Sequence, residues 1–374
     1  MVEIIEVRSR RDLKRFIAFP HQLYRGVPYW VPPLTFDELN TLSRDKNPAF
    51  AFCRARYWLA MIDKQIVGRI AGIINDRYVK ESGKPYARFG WFDFIDDEKV
   101  SSALLLAVEN WARENGLEAV HGPLGFCDLD KEGMLIEGYD ELSMFITLYN
   151  YPYYPAHMER LGYGKATDWQ EYEIKVPVKV PERIEKLNQL IEKRLNVKII
   201  RSNKKKVFMP YAPAIFELLN EAYKDLYGFV ALSDDQVQWY IKQYFGVINP
   251  DYVRVVLDQY NQLIAFGIAI PSLARASQKA KGRLLPLGFI HILQALKKND
   301  RLELLLIAVR KDYQGKGINV LLLNDINKTG IVNGLKYAET GPELETNKDV
   351  QSLWKYYETR QHKRRRCYIK QIGP

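Results

Sequence analysis

A carboxylate, two glycines and a lysine fall close together at Glu303, Gly315, Lys316 and Gly317. The apolar run from Glu303 to Val309 reads as a strand. It ends in a short glycine-bearing loop, and a helical pattern opens at Ile318 and Asn319. Successive backbone N–H groups in such a loop converge on an anion, and the new helix adds its positive dipole end. Gly315 and Gly317 let the backbone approach a phosphate with no side chain in the way. The chemistry this arrangement suits is retention of a phosphorylated cofactor beside a base.

The run Gln314-Gly315-Lys316-Gly317-Ile318-Asn319 resembles the CoA-binding motif of the GNAT acyltransferases, Gln/Arg-x-x-Gly-x-Gly/Ala after a strand. Gln314 and Gly317 match it. Asn319 stands where Gly or Ala is usual, and Asn tolerates left-handed backbone well. Glu303 lies eleven residues before Gln314, the separation at which some GNAT enzymes carry a general-base glutamate. The resemblance implies that Gln314 through Asn319 hold the pyrophosphate of acyl-CoA or acetyl-CoA as cosubstrate, with Lys316 as an added charge. It also implies that the Val309 backbone pairs with the pantetheine arm.

Glu303 would then take a proton from an ammonium acceptor, whose pKa of roughly 10 keeps it charged at neutral pH. A carboxylate partly buried in a strand has its own pKa raised toward the working range. The competing reading is an edge-strand glutamate paired with Arg301. The family's last motif, Asn-x-x-Ala-x-x-Leu-Tyr, is matched at Asn347 and Leu353, but Trp354 replaces the tyrosine that protonates the leaving thiolate. Tyr356 or Tyr357 would have to turn inward for that role. A packing or surface role for either, with protonation by solvent, is the alternative.

With 374 residues, nearly half of them apolar and 13% aromatic, the chain is long enough for two ordinary domains and can bury sizeable cores. Cys53, Cys127, Cys367 and the five histidines show no metal-ligand spacing, so no metal is expected and free thiols in a reducing cytoplasm are. There is no signal-peptide pattern, and no run reaches the roughly 18 apolar residues that span a bilayer. The expectation is a cytoplasmic protein, at most peripheral at the inner face of the membrane. A net charge of +10, with basic clusters at 204–206, 279–283, 297–298 and 363–366, allows three partners. These are the phosphates of CoA, an anionic membrane surface and nucleic acid, against the bland reading of solvated loops.

Two places in the chain echo each other. Asn115-Gly-Leu-Glu-Ala-Val-His-Gly122-Pro123 resembles Asn333-Gly-Leu-Lys-Tyr-Ala-Glu-Thr-Gly341-Pro342, each a helix end, a capping glycine and a strand. Strand–turn–strand patterns precede both, over 57–70 and 252–267. The repeated order matches the GNAT fold and predicts an α+β, α/β/α-layered chain of tandem GNAT-like domains. Residues 1–175 are the first, 176–200 a linker, and 201–374 the second, which carries the CoA loop. Nineteen residues before Asn333 stands Gln314, whereas nineteen before Asn115 stands Asp96, in Asp96-Asp97-Glu98. Three acids there repel a pyrophosphate, so the first domain is read as degenerate, an acceptor pocket or a scaffold. His121, at a strand end, is the least bland of the histidines, and Glu132, in a Gly-rich inserted loop, is a second candidate acceptor-site residue, with a structural role the competing reading for each.

Pro28-Tyr-Trp30-Val-Pro32-Pro33, Asn47-Pro48, Gly122-Pro123, Glu132-Gly133 and Leu161-Gly-Tyr163 resemble the YghO-like group of GNAT proteins, which includes bacterial ceramide synthases. That resemblance implies acyl transfer from a CoA thioester to a primary amine, with a long-chain sphingoid base as one candidate. Independently, residues 275–298 form an insertion with basic flanks around an apolar stretch, a pattern that meets anionic lipid or else packs on its own domain. Two further functions remain. One is acetyl transfer to a small polar amine or peptide. The other is a non-catalytic membrane or nucleic-acid adaptor, which the retained Glu303 and glycine loop disfavour.

Overall fold

The computed structural model describes residues 1–246 and 248–373. The first half runs β1 (Glu3–Glu6), α1 (Arg10–Leu23), α2 (Thr35–Leu42), β2 (Cys53–Ile62), β3 (Gln65–Asn75), α3 (Asp76–Ser82), β4 (Tyr86–Phe94) and α4 (Glu98–Glu114). It continues with β5 (Ala119–Gly122), β6 (Met134–Glu137), α5 (Tyr153–Arg160) and β7 (Gly164–Lys175). The segment read as a linker holds α6 (Glu182–Leu195) and β8 (Lys198–Ile200). Then come α7 (Ala212–Tyr223), α8 (Asp234–Tyr244), β9 (Val253–Leu257), β10 (Leu263–Pro271), α9 (Ala274–Ala280), α10 (Gly288–Lys297) and β11 (Arg301–Val309). The chain closes with α11 (Ile318–Val332), β12 (Tyr337–Thr340), β13 (Glu343–Leu344), α12 (Lys348–Gln351) and β14 (Thr359–Gln371).

Alternation along the strands explains the layers. On β3, Ile70 and Ile74 pack toward α4, while Ala71 and Ile73 pack toward α1 on the other face. On β9, Val255 joins the α7–α8 side and Val256 the α6–α11 side. Asp97 caps α4 by accepting from the Lys99 N–H, and Val100, Leu104, Leu105, Val108 and Trp111 form its buried stripe. The β2–β3 hairpin turns through Asp63 and Lys64, both at positive φ, as a tight primed turn requires.

One continuous sheet joins the halves in the order β1-β2-β3-β4-β5-β14-β7-β12-β11-β10-β9-β8. At its centre the halves exchange strands. The last strand, β14, lies between β5 and β7, and β7 in turn borders β12. The boundary near 175 therefore divides the order of the chain and not the sheet.

That exchange corrects the reading of the 363–366 cluster as a partner surface. On β14 these cations meet carboxylates from distant strands: Lys363 with Glu171 (3.2 Å) and Glu339 (3.4 Å), Arg364 with Glu137 (3.5 Å), and Arg366 with Asp168 (2.8 Å). Arg365 pairs with Glu171, and neither side chain is exposed.

Candidate active site

β11 and β12 run parallel but pair only from Arg301–Tyr337 to Leu304–Thr340. Beyond Leu304, β11 keeps its ladder with β10 alone. Ile268 faces Leu306 and Ala269 faces Leu304, so Leu305 is the extra residue of a bulge. On the other side the Gly341 N–H donates to the Leu304 carbonyl at 3.1 Å, and the chain then turns to pair with β7 through Glu343 and Leu344. A gap therefore opens between the outer part of β11 and the β12–β13 segment.

The first half opens the same way after Arg88 on β4, but its own chain fills the opening. The Leu124 N–H donates to the Phe89 carbonyl at 2.8 Å, and a Cβ at Gly90 would stand 2.6 Å from the Leu124 oxygen. The acidic trio is used locally. Asp97 caps α4, Asp96 meets His157 at 2.9 Å, and Glu98 meets Arg160 at 3.2 Å. His121 is a buried core residue whose Nδ1 bonds the Tyr227 hydroxyl at 2.8 Å, and burial holds its pKa well below the usual range.

At the outer end of the gap lie the expected loop residues. The Gln314 amide donates to the Val309 carbonyl at 3.0 Å, folding the loop back on the strand. Gly315 has φ +72 and no atom within 4 Å of a would-be Cβ, so the space beside it is open. Gly317 has φ +89 and caps α11, where no side chain satisfies the first N–H groups and no acid occupies the first turn. Lys316 lies 5.2 Å from the Tyr313 ring, Ile318 is buried in the core beneath, and Asn319 begins the helix on its partly exposed face. These residues suit a pyrophosphate, with backbone donors, a dipole and a cation around an uncluttered space.

Glu303 sits at the inner end, on the paired stretch of β11. It is 1% exposed. Its Oε1 accepts from the Ser272 hydroxyl at 2.6 Å and the Phe145 N–H at 3.5 Å, while Oε2 is buried without a partner. Burial pushes its pKa up to about 7, with the Ser272 bond opposing. Arg301 is engaged elsewhere, with Glu173 at 2.7 Å and with Glu339. Glu339, the β12 neighbour of Glu303, resists the upward pull of burial. His362, Lys363 and Arg301 hold it at about 2. Two adjacent strand carboxylates are thus driven in opposite directions, one ionised and one poised near neutrality.

Other residues around Glu303 were not legible in advance. Ser272 opens the insertion, and Phe145 and Lys131 come from the first half, with the Lys131 ammonium 5.8 Å from the Phe145 ring. Asp128, Asp130 and Glu132 on the same loop are partly exposed, yet burial raises the first two to about 7 and Glu132 well above its ordinary value.

Of the two candidate tyrosines, Tyr356 lies at the surface and Tyr357 packs against the core, which is the packing or surface alternative for each. Tyr356 is 72% exposed, and Tyr357 packs against Trp354 with ring centres 6.4 Å apart. The short turn that carries them follows α12 directly and points the two side chains outward and along the core. Asn347 caps α12, accepting from the Val350 N–H at 3.4 Å, so its side chain is committed to the helix start. Among the described residues no group of ligating side chains is arranged to hold a metal, and no helix is long and apolar enough to cross a membrane.

No protein-family model matches the chain. Among curated proteins it is 29% identical to Protein YghO of Escherichia coli, covering 97% of this chain and 94% of that one. It is 26% identical to the Bacterial ceramide synthase of Caulobacter vibrioides, covering 99% of this chain and 98% of that one. Among solved structures, a tandem GNAT protein from the clavulanic acid biosynthesis pathway superposes with a TM-score of 0.57 at 13% identity, over 100% of this chain and 99% of the other. A GCN5-related N-acetyltransferase from Sphaerobacter thermophilus gives 0.54 at 12% identity, over 99% and 96%. The chain has a tandem GNAT fold, and along nearly its whole length it is similar to YghO and to bacterial ceramide synthase.

Proposed function

We propose that this protein transfers an acyl group from a CoA thioester to a primary amine, with Glu303 as general base. The observation that carries the reading is the Glu303 carboxyl. It is buried at the inner end of an open strand gap, has one oxygen free, and titrates near neutrality. Gln314, Gly315, Lys316, Gly317, Ile318 and Asn319 hold the pyrophosphate, and the Val309 backbone meets the pantetheine arm. The amine approaches from the Ser272 end, where residues of the first half close over the base. In this reading residues 1–175 no longer bind CoA and instead build the acceptor pocket, while residues 201–374 carry the cosubstrate.

The acceptor is a long-chain amine, with a sphingoid base the candidate suggested by the name of the ceramide synthase relative. Support comes from α10 and the segment leading into it, where Ile292 is buried and Leu285, Leu287, Phe289, Ile290 and Leu293 stay exposed. Exposed cations at Arg275, Lys279, Lys281, Arg283, Lys297 and Lys298 flank that face. Such a surface suits an anionic bilayer, which makes the protein peripheral at the cytoplasmic side of a membrane. α9 anchors it. Gln278 donates to the Pro28 and Trp30 carbonyls at 2.8 and 2.9 Å, and the Thr35 N–H donates to the Gly282 carbonyl at 2.8 Å.

Thermal stabilisation by CoA thioesters from acetyl to palmitoyl tests the reading. A response that grows with chain length is expected. An equal response to acetyl-CoA would move the acceptor to the small polar class, and no response to any member would remove the enzymatic assignment.

A further inference from the structure

Trp354 stands where the family resemblance expects a tyrosine to protonate the departing sulfur, and an indole N–H cannot release its proton usefully. The indole is nevertheless fixed in place. Its Nε1 donates to both carboxyl oxygens of Glu343, at 3.1 and 3.0 Å. Glu343 begins β13, two positions after Gly341, whose N–H closes the base of the gap on the Leu304 carbonyl. It is carried at the edge of the opening and is partly exposed. Across the gap, the Tyr223 hydroxyl donates to the Ile307 carbonyl of β11 at 3.3 Å, close enough for the Glu343 charge to act on that phenol.

We propose that Glu343, oriented by Trp354, is the general acid that protonates the CoA sulfur. The proposal rests on the acyl-transfer reading above and names a residue for its last proton. Burial pushes the Glu343 carboxyl up to about 8 against the Trp354 bond, so at neutral pH it holds a proton to give. Tyr172 on β7 and Tyr223 on α7 are the titratable groups that sense its charge. Burial raises both, Tyr223 to about 12, so both stay neutral in the working range.

The protons balance. One passes from the acceptor ammonium to Glu303, and the freed amine forms its bond to the thioester carbon. The C–S bond breaks with its electron pair going to sulfur, which takes the Glu343 proton. The nitrogen then returns its surplus proton to the Glu343 carboxylate, and Glu303 releases its own to water. The products are an amide, CoA thiol and one solvent proton.

In Glu343→Gln an amide oxygen still accepts from Trp354, so the fold is kept. The decisive measurement needs no acceptor: the thiol of bound CoA is titrated through its ultraviolet thiolate band. Beside the Glu343 carboxylate of the parent protein the thiolate is disfavoured, so the band should appear at lower pH in the variant. With palmitoyl-CoA and hexadecylamine, kcat should fall about 10²-fold with KM unchanged, and the alkaline limb of the rate profile should disappear. Identical thiol titrations in the two proteins overturn the assignment. CoA that binds neither protein overturns the acyl-transfer reading beneath it.

Discussion

The Ser272 hydroxyl donates to Glu303 Oε1 at 2.6 Å, so the first residue after β10 touches the carboxylate on β11. The inserted helical segment and the base are joined through one bond. A hydroxyl donated to a carboxylate favours its charged form, and here it opposes the upward push of burial that leaves Glu303 at about 7. Ser272→Ala should raise that pKa, moving the acid limb of kcat/KM to higher pH and lowering the rate at neutrality. Ser272→Thr should restore the parent profile. An unmoved limb in the alanine variant would show that another group sets it.

Glu303 also makes stability depend on pH. Its folded pKa, about 7, lies above the ordinary 4.5. Between those values the folded chain binds more protons than the unfolded one, so stability falls as pH rises through the window. The ceiling on that loss is about 3 kcal/mol. Glu303→Gln cannot ionise, and it keeps an oxygen for Ser272. Its melting temperature should therefore exceed the parent's above the window and approach it below, while acyl transfer is lost. Parallel melting curves at every pH would mean that Glu303 is not poised as the structure implies.

Gly315 and Gly317 differ as places to test cosubstrate binding. A Cβ at Gly317 would stand 2.7 Å from Ile191 on α6, so a substitution there disturbs packing as well as the loop. Gly315 is open, and Asp tolerates its positive φ better than most residues do. Gly315→Asp should melt within a few degrees of the parent yet lose stabilisation by CoA thioesters, because it places a carboxylate where a diphosphate must sit. At least a 10-fold weaker Kd is expected, about 1.4 kcal/mol. Undiminished binding would put the diphosphate elsewhere.

The parts legible in the sequence are those encoded locally. Strand, loop, helix and base occupy consecutive residues from Glu303 to Asn319, and both hairpins announce themselves by short alternating runs around polar turns. The central exchange is encoded nowhere locally. β14 and β7 pair through registers such as Arg366 with Asp168, and nothing within either segment specifies a partner so distant in the chain. For the same reason the 363–366 run looks like a free basic surface, since its compensating carboxylates lie on β6, β7 and β12. The last motif specifies spacing and not direction. Trp354 keeps the motif's place, while its indole points to Glu343, a residue no family pattern marks. Ser272 and Phe145 lay outside any motif because one begins an insertion and the other arrives from the opposite half.

The α10 face yields the remaining prediction, and its two components can be separated. Leu285 and Leu287 are 79% and 63% exposed, and Leu293 lies on the same helix-bearing segment. Placing one such side chain in an apolar phase is worth roughly 1.5–3 kcal/mol, less at an interface where burial is partial. Each nearby cation adds about 1 kcal/mol on an anionic surface, and that share is screened by salt. In vesicle flotation with phosphatidylserine, the parent should bind at low salt and retain part of its binding at high salt. Replacing Leu285, Leu287 and Leu293 with serine should remove the salt-resistant part and cut partitioning at least about 10-fold. Replacing Lys279, Lys281 and Arg283 with glutamine should remove mainly the salt-sensitive part. Because none of these side chains is a hydrogen-bond partner of Glu303, CoA-thioester stabilisation should be unchanged in both variants. Flotation of the serine variant at the parent's level would assign the exposed leucines to some surface other than a bilayer.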